Sequence, residues 1–380
     1  MTRAARVSPR DESIMGRVLA LAARGRGTTR PNPLVGAVIV RGGRVVAEGF
    51  HRRAGGPHAE LIALAQLPEG GARGATLYVN LEPCCHTGRT GPCTEAILAA
   101  GVARVVVGCL DPNPLVDGRG VARLRRAGVR VDVGCLEPES RALNRAFATW
   151  VRERRPLVTL KAAATMDGFI APAEGARSRS RRAPVWITGP EARRAAHELR
   201  AARDAVLVGS GTVLADDPRL TVRLGRDRPV GAQPVRVVLD GRLRTPARAQ
   251  VLSRAAPTII FTRRGAPAAR QRALRAAGAE VVELAAVRGR LPLRDVLHAL
   301  AARDIQSVLV EGGSAVHGSF VDAGLVDEVV LFVAPRLMGG GVPVAAGRGL
   351  GILRSLRLGA LTARPVGPDL MLTAQASPGT

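Results

Sequence analysis

Lysine is all but missing from this chain of 380 residues: Lys161 stands alone, and every other one of its 56 basic residues is an arginine. Aromatic residues make up only 2% of the sequence, with a single tyrosine, Tyr78. Stacking platforms for single strands are therefore scarce, and nucleic acid is not expected as a partner despite a formal net charge of +25. The arginines spread over the whole length beside abundant Ala, Gly and Pro, which reads as a coding preference and a solvated basic surface. No run approaches the roughly 18 apolar residues of a membrane span, so no membrane partner is expected. The charged start, Met1 to Arg10, has no apolar stretch behind it and does not read as a signal peptide. Cysteine is sparse and odd in number, at five, which argues against a disulfide framework and for a reducing, cytoplasmic location. Internal repeats and coiled-coil heptads are absent as well.

What the chain does have is His58-Ala59-Glu60, followed by Pro83-Cys84 and then Cys93. A zinc that only holds a fold is usually closed by four protein ligands, whereas a catalytic zinc keeps a position open for water. His58, Cys84 and Cys93 make three, so one zinc ion per chain is expected. Glu60, two residues after the histidine, can stand beside the metal without ligating it and carry a proton from the bound water to a leaving amine. An H-x-E segment with a P-C segment is the pattern of zinc deaminases. In that pattern the second cysteine usually follows after two residues, but here eight separate Cys84 from Cys93. They include His86, Arg89 and two glycines, which suit a phosphate. Cys85 and His86 also offer ligand atoms, and a closed structural site is the alternative.

The length allows two domains. The first half alternates strands and helices, the pattern of an α/β layer fold. A helix is expected at Met15 to Arg24 and a hairpin at Val35 to Val40 and Val45 to Gly49. A helix carrying His58 and Glu60 follows, then a strand at Ala75 to Asn80, a helix near Cys93 to Ala100 and a strand at Val105 to Cys109. A helix near Gly120 to Ala127, a strand at Val129 to Val133 and one helix over Glu137 to Val151 complete the set. The boundary is placed near residue 150, giving domains 1–150 and 151–380. The second half restarts with a strand at Leu157 to Lys161. Further strands are expected near Ala205 to Val208, Val235 to Leu239, Thr258 to Phe261, Glu280 to Leu284, Ser307 to Glu311 and Glu328 to Phe332. Ala171 to Val185, rich in Pro, Arg and Ser, reads as a loop, and the tail after about Ala376 as frayed. Gly209-Ser210-Gly211-Thr212 and Glu311-Gly312-Gly313-Ser314 each follow a strand. Each reads equally as a phosphate cradle or as a tight turn, and neither is a dinucleotide-binding G-x-G-x-x-G run.

Taken together, the two halves resemble the bifunctional deaminase-reductases of riboflavin biosynthesis over nearly the entire chain. In the first half the resemblance rests on Pro31 to Gly36, Pro57 to Glu60, Leu81 to Thr90 and Asp111 to Pro114. In the second it rests on Leu160-Lys161, Asp167-Gly168, Trp186 to Thr188, Thr212 to Pro218 and Glu311 to Ser314. It implies a cytidine-deaminase-like domain followed by a dihydrofolate-reductase-like domain, with zinc and NADPH as cofactors and a phosphorylated pyrimidine as substrate; a homo-oligomer is expected as well. The first domain would remove the 2-amino group of 2,5-diamino-6-(5-phosphoribosylamino)pyrimidin-4-one, and the second would reduce its ribosyl group to ribityl. The resemblance implies that Asn32, His51, Asp111 and Asn113 line the pyrimidine and ribose pocket and that His86 and Arg89 hold the phosphate. Lys161, Arg200, Leu220, Arg223 and Glu311 match substrate-side positions of the reductase, with Lys161 catalytic. Thr188, Thr212, Asp216, Gly313, Ser314, Ala315, Val316, His317, Gly318 and Ser319 match cofactor-side positions, flanked by Ala163 and Trp186.

One departure stands out. Pro184 lies where the family has a serine that meets substrate, and the loop before it is enlarged. A proline offers neither a hydroxyl nor a backbone N–H. Ser178, Ser180 or a loop arginine takes over, or the reductase accepts a different substrate. A nucleic-acid base deaminase and a structural zinc protein remain as rival readings. For Lys161, the alternative to catalysis is a buried ion pair, with Asp167 as the candidate partner.

Overall fold

The computed structural model describes residues 7–86, 91–173, 186–224 and 232–377, and they fall into two compact units, Met1–Arg154 and Arg155–Thr380. The first unit begins with α1 (Pro9–Ala23), six residues earlier than the apolar spacing suggests. Its start is set by capping: the Asp11 amide donates to Ser8 Oγ, the Ser8 amide to Asp11 Oδ2, and Pro9 occupies the first helical position. Asp11 is buried and also accepts bonds from Tyr78 Oη at 2.8 Å and the Arg104 guanidinium, which ties the helix start to the sheet.

There follow β1 (Gly36–Arg41), β2 (Arg44–Phe50), α2 (Ala59–Leu64), β3 (Thr76–Leu81), α3 (Cys93–Ala99), β4 (Arg104–Cys109), α4 (Arg119–Arg126) and β5 (Arg130–Val133). The sheet runs β2-β1-β3-β4-β5, antiparallel across β1 and parallel from β3 to β5. Alternation along the strands divides the core between the two faces. Ala37, Ile39, Leu77, Val79, Val105 and Val107 join Ala59, Ala63, Ile97 and Leu124 from α2, α3 and α4. Val38, Val40, Tyr78 and Val106 instead meet Met15 and Val18 of α1. Both helices that bear metal-ligand candidates thus lie on one face.

The single helix expected over Glu137 to Val151 is two: α5 (Glu137–Leu143) and α6 (Arg145–Glu153). Asn144 breaks it at φ −105°, ψ 17°. Its side chain grips Leu34, accepting from the amide at 2.8 Å and donating to the carbonyl at 2.9 Å.

The second unit contains β6 (Leu157–Thr165), β7 (Phe169–Ala171), α7 (Pro190–Ala201), β8 (Ala205–Gly209), α8 (Ser210–Asp216), β9 (Val235–Leu239), β10 (Thr258–Arg263), α9 (Ala268–Ala276) and β11 (Ala279–Leu284). After these come α10 (Leu293–Ala301), β12 (Ser307–Val310), α11 (Ser314–Asp322), β13 (Glu328–Ala334), β14 (Val342–Pro343), β15 (Thr362–Val366) and β16 (Asp369–Gln375). Nine strands form one sheet in the order β11-β10-β9-β8-β12-β6-β13-β16-β15, parallel from β11 to β13 and antiparallel thereafter. The parallel centre is nearly all Val, Leu, Ile and Ala, as expected of strands covered on both sides. β7 pairs with β14 apart from this sheet. The chain leaves β6, builds outward from β8 to β11, and returns to insert β12 between β6 and β8. Such a reversal opens a crevice at the carboxyl ends of the strands, where open α/β sheets bind ligands. No described helix is long and apolar enough to cross a membrane.

Candidate functional sites

The metal centre of the first unit is assembled where two helices begin. His58 is the N-cap of α2, in extended backbone, and Cys93 is the first residue of α3. Cys84 comes from the segment after β3, and its sulfur accepts the Cys93 amide at 3.3 Å. His58 Nδ1 lies 3.2 Å from Cys93 Sγ and 3.5 Å from Cys84 Sγ, and the three donor atoms all fall within 4.8 Å of one another. One imidazole and two sulfurs fit a zinc ion with a position left for water. Facing each other, the two thiols act on one another: the bond from the Cys93 side chain, ahead of the His58 bond, lowers the Cys84 thiol, and the same pairing raises Cys93. Cys85 and the exposed His86 lie outside this group.

Glu60, in the first turn of α2, is 3% exposed, and its Oε2 has no hydrogen-bond partner among the described residues. Burial pushes its carboxyl up to about 7. A buried carboxylate oxygen without a partner is a costly structural device but a useful proton carrier beside a metal-bound water.

Around this centre His51 is buried. Its Nδ1 donates to Pro57 O at 2.9 Å, its Nε2 accepts from Asn32 Nδ2 at 3.0 Å, and its ring meets His58 edge-on at 5.5 Å. Burial lowers its pKa, the direction that favours the neutral imidazole this bonding uses. Asp111 accepts the Asn113 amide at 2.8 Å, and burial raises its carboxyl to about 6. Arg89 lies outside the described residues, as do Ser178, Ser180 and Pro184.

Glu82, Asn80 and Asn144 have no role in the sequence reading. Glu82 is buried, and its carboxylate accepts the amides of Gly118 at 2.8 Å, Val121 at 3.0 Å and Asp111 at 3.2 Å. It caps α4 and fixes the Asp111 loop. Asn80 accepts the Gly36 amide and donates to Leu34 O, so with Asn144 it pins the segment after Asn32. An acid and an amide at the end of an otherwise apolar strand were the available signal.

In the second unit the strands bring three charged candidates together. Lys161, within β6, donates to Glu311 Oε2 at 3.3 Å, and Arg200 of α7 grips both Glu311 oxygens. All three side chains are at most 14% exposed. Burial would raise the Glu311 carboxyl, but Arg200 and Lys161 outweigh it and hold it well below the usual range. The lysine's partner is thus Glu311, not Asp167, which instead accepts the Met338 and Gly339 amides and the Thr165 hydroxyl. Arg200 Nη1 also donates to Thr221 O, and Arg223 Nη1 to Thr221 Oγ1, beside a buried Leu220 at φ +51°.

The two glycine turns adjoin. A Cβ on Gly313, the N-cap of α11 at φ +74°, would stand 3.1 Å from Thr212 Oγ1, and one on Gly209 would stand 2.8 Å from Val316 Cγ2. Ser314 Oγ is buried with no hydrogen-bond partner among the described residues. A bare backbone cradle at a helix start with an unused hydroxyl fits a phosphate-bearing cofactor. Thr188 is buried, Trp186 is exposed with the Arg193 guanidinium 4.9 Å from its ring, and Asp216 ends α8. Ala163 lies on β6, and Ala315, Val316, His317, Gly318 and Ser319 on α11.

Residues 8–109 match the model of the cytidine and deoxycytidylate deaminase zinc-binding region, and residues 156–372 that of the RibD C-terminal domain. The chain is 44% identical over 363 residues to the riboflavin biosynthesis protein RibD of Aquifex aeolicus, across 95% of this chain and 97% of that protein. It is 42% identical to the RibD of Bacillus amyloliquefaciens, across 96% of each. Among solved structures, Acinetobacter baumannii RibD aligns with a TM-score of 0.83 at 38% identity, covering 97% of this chain and 99% of that one. The diaminohydroxyphosphoribosylaminopyrimidine deaminase/5-amino-6-(5-phosphoribosylamino)uracil reductase of Thermotoga maritima aligns with a TM-score of 0.81 at 38% identity, covering 96% and 98%.

Proposed function

The chain belongs to the RibD family of riboflavin biosynthesis enzymes, and on that premise we propose which of its residues carry each reaction. It is a bifunctional enzyme, a zinc-dependent deaminase in a cytidine-deaminase-like unit followed by an NADPH-dependent reductase in a dihydrofolate-reductase-like one. The substrate is 2,5-diamino-6-(5-phosphoribosylamino)pyrimidin-4-one, which loses its 2-amino group to water and then has its ribosyl group reduced to ribityl.

In the first reaction zinc, bound by His58, Cys84 and Cys93, supplies the Lewis acidity that makes water a nucleophile at neutral pH. Glu60 takes up a proton on Oε2 and returns it to the leaving amine. Asn32, His51, Asp111 and Asn113 orient the pyrimidine and ribose, while His86 and Arg89 hold the phosphate. The partnerless Oε2 of a buried Glu60 beside the His58, Cys84 and Cys93 donors is the observation that carries this reading. Glu60→Gln, assayed for ammonia release with zinc content measured alongside, tests it.

In the second reaction NADPH supplies the hydride. Trp186, Thr188, Ala163, Thr212, Asp216 and the start of α11 from Gly313 to Ser319 hold the cofactor. Lys161 holds the oxygen of the opened sugar, and Glu311 keeps that ammonium in place. Lys161 and Arg200 against Glu311 leave one positive charge in excess, which suits a phosphorylated substrate. The sparse, odd count of five cysteines, two of them assigned here to zinc, is the basis for placing the enzyme in the reducing cytoplasm.

A further inference from the structure

Residues 220–223 form no regular strand, so side chains satisfy their backbone in place of neighbouring strands. Val222 is bracketed by Gln233, whose Oε1 accepts the amide at 2.8 Å and whose Nε2 donates to the carbonyl. Arg200 Nη1 donates to Thr221 O at 3.1 Å, and the Arg223 amide donates to His197 Nδ1 at 3.2 Å. His197 lies three residues before Arg200 on α7, so the two share a face and hold the same segment at two points. We propose that His197 is a positioning residue of the reductase, fixing the backbone from which Arg223 meets the substrate. This rests on the reading of Arg223 as a substrate residue.

The chemistry explains why an imidazole stands here in a chain that otherwise favours arginine. The position needs an acceptor for a backbone N–H, and it lies beside two guanidinium groups. A cation could not accept and would be repelled, whereas a neutral imidazole with its proton on Nε2 presents Nδ1 as a lone-pair donor. Burial, then the charges of Arg200 and Arg223, hold His197 in that neutral form, lowering it to about 4.

The test is steady-state reduction of the deaminated pyrimidine by the full chain carrying His197→Leu or His197→Asn. These side chains have nearly the same shape, but Asn offers Oδ1 as many bonds from Cα as Nδ1 of histidine. His197→Leu leaves the Arg223 amide without its acceptor and is expected to raise the KM for the pyrimidine about tenfold. The KM for NADPH, the reductase kcat and deamination should stay near wild type, and His197→Asn should restore the pyrimidine KM to within about twofold, since the acceptor is back. Unchanged KM in His197→Leu, equal loss in both variants, or a defect confined to kcat would overturn the proposal. Should the leucine variant not fold, judged by loss of NADPH binding, His197→Ala takes its place in the comparison. Arg223→Ala separates the two levels of argument. If it leaves the pyrimidine KM unchanged, the substrate role of Arg223 fails; if it raises KM while His197→Leu does not, only the positioning role fails.

Discussion

The two units solve the problem of holding a reacting group in different ways. In the first, a small donor set sits at two helix starts on one sheet face, and Glu60, the acid we assign to proton transfer, is two residues from the candidate ligand His58. In the second, the charged groups come from β6, α7 and the end of β12, far apart in sequence, and they are held by one another. A metal centre needs particular ligand types at workable spacing, so it leaves a local signature. A charge cluster for hydride transfer needs only a net balance and a shape, and many sequences supply that.

This difference yields tests of decreasing expected effect. Cys93→Ser should lose zinc and destabilise the first unit, since metal binding and folding are linked, and deamination should vanish while NADPH-dependent reduction persists. Metal analysis and separate assays of the two reactions check it.

Glu311→Gln should strand two buried cations in the second unit. Removing one partner of a buried pair costs about 3–5 kcal/mol, so thermal unfolding should show that unit weakened and reduction abolished. The folded Glu311 carboxyl lies below its ordinary value of 4.5, so its contribution is fully present above that value and is lost as pH falls through the lower folded value. The variant should show a shallower acid-side loss of stability than the wild type, measured by unfolding midpoint against pH.

Lys161→Arg keeps the charge facing Glu311 but replaces a compact ammonium with a broad fork. Reductase turnover should fall by about tenfold or more, equivalent to some 1.4 kcal/mol in barrier, with zinc content and deamination unchanged. The smallest effect is expected from Cys85→Ser, which should leave metal content and both rates near wild type. Zinc loss there would point to a closed structural site.

Much of the core was legible because alternation and helical spacing are strong where a sheet is buried. The Val35 to Val40 and Val45 to Gly49 hairpin and the central parallel strands followed from that pattern. The C-terminal hairpin of β15 and β16 did not. β15 is an edge strand with Pro365 and mostly exposed residues, tolerated there because an edge has a side that needs no donor, so it carries no apolar alternation. The break at Asn144 was hidden for a similar reason, since helical spacing continues across it and the cause is a side chain bonding to Leu34, 110 positions away. His58, Glu60, Cys84 and Cys93 could be named from residue type and spacing. The reductase candidates came from resemblance, and Glu82 and His197 emerge only once the backbone amides they accept are in place.

The most direct test of two chemistries on two independent sites is a coupled assay of Glu60→Gln, following ammonia and NADPH together. With zinc retained, the variant should release ammonia from the diaminopyrimidine at least about 10²-fold more slowly than wild type, as expected when a general acid/base is lost. It should oxidise NADPH at the wild-type rate when the deaminated pyrimidine is supplied. Undiminished ammonia release by the zinc-loaded variant, or loss of both reactions together, would contradict the account.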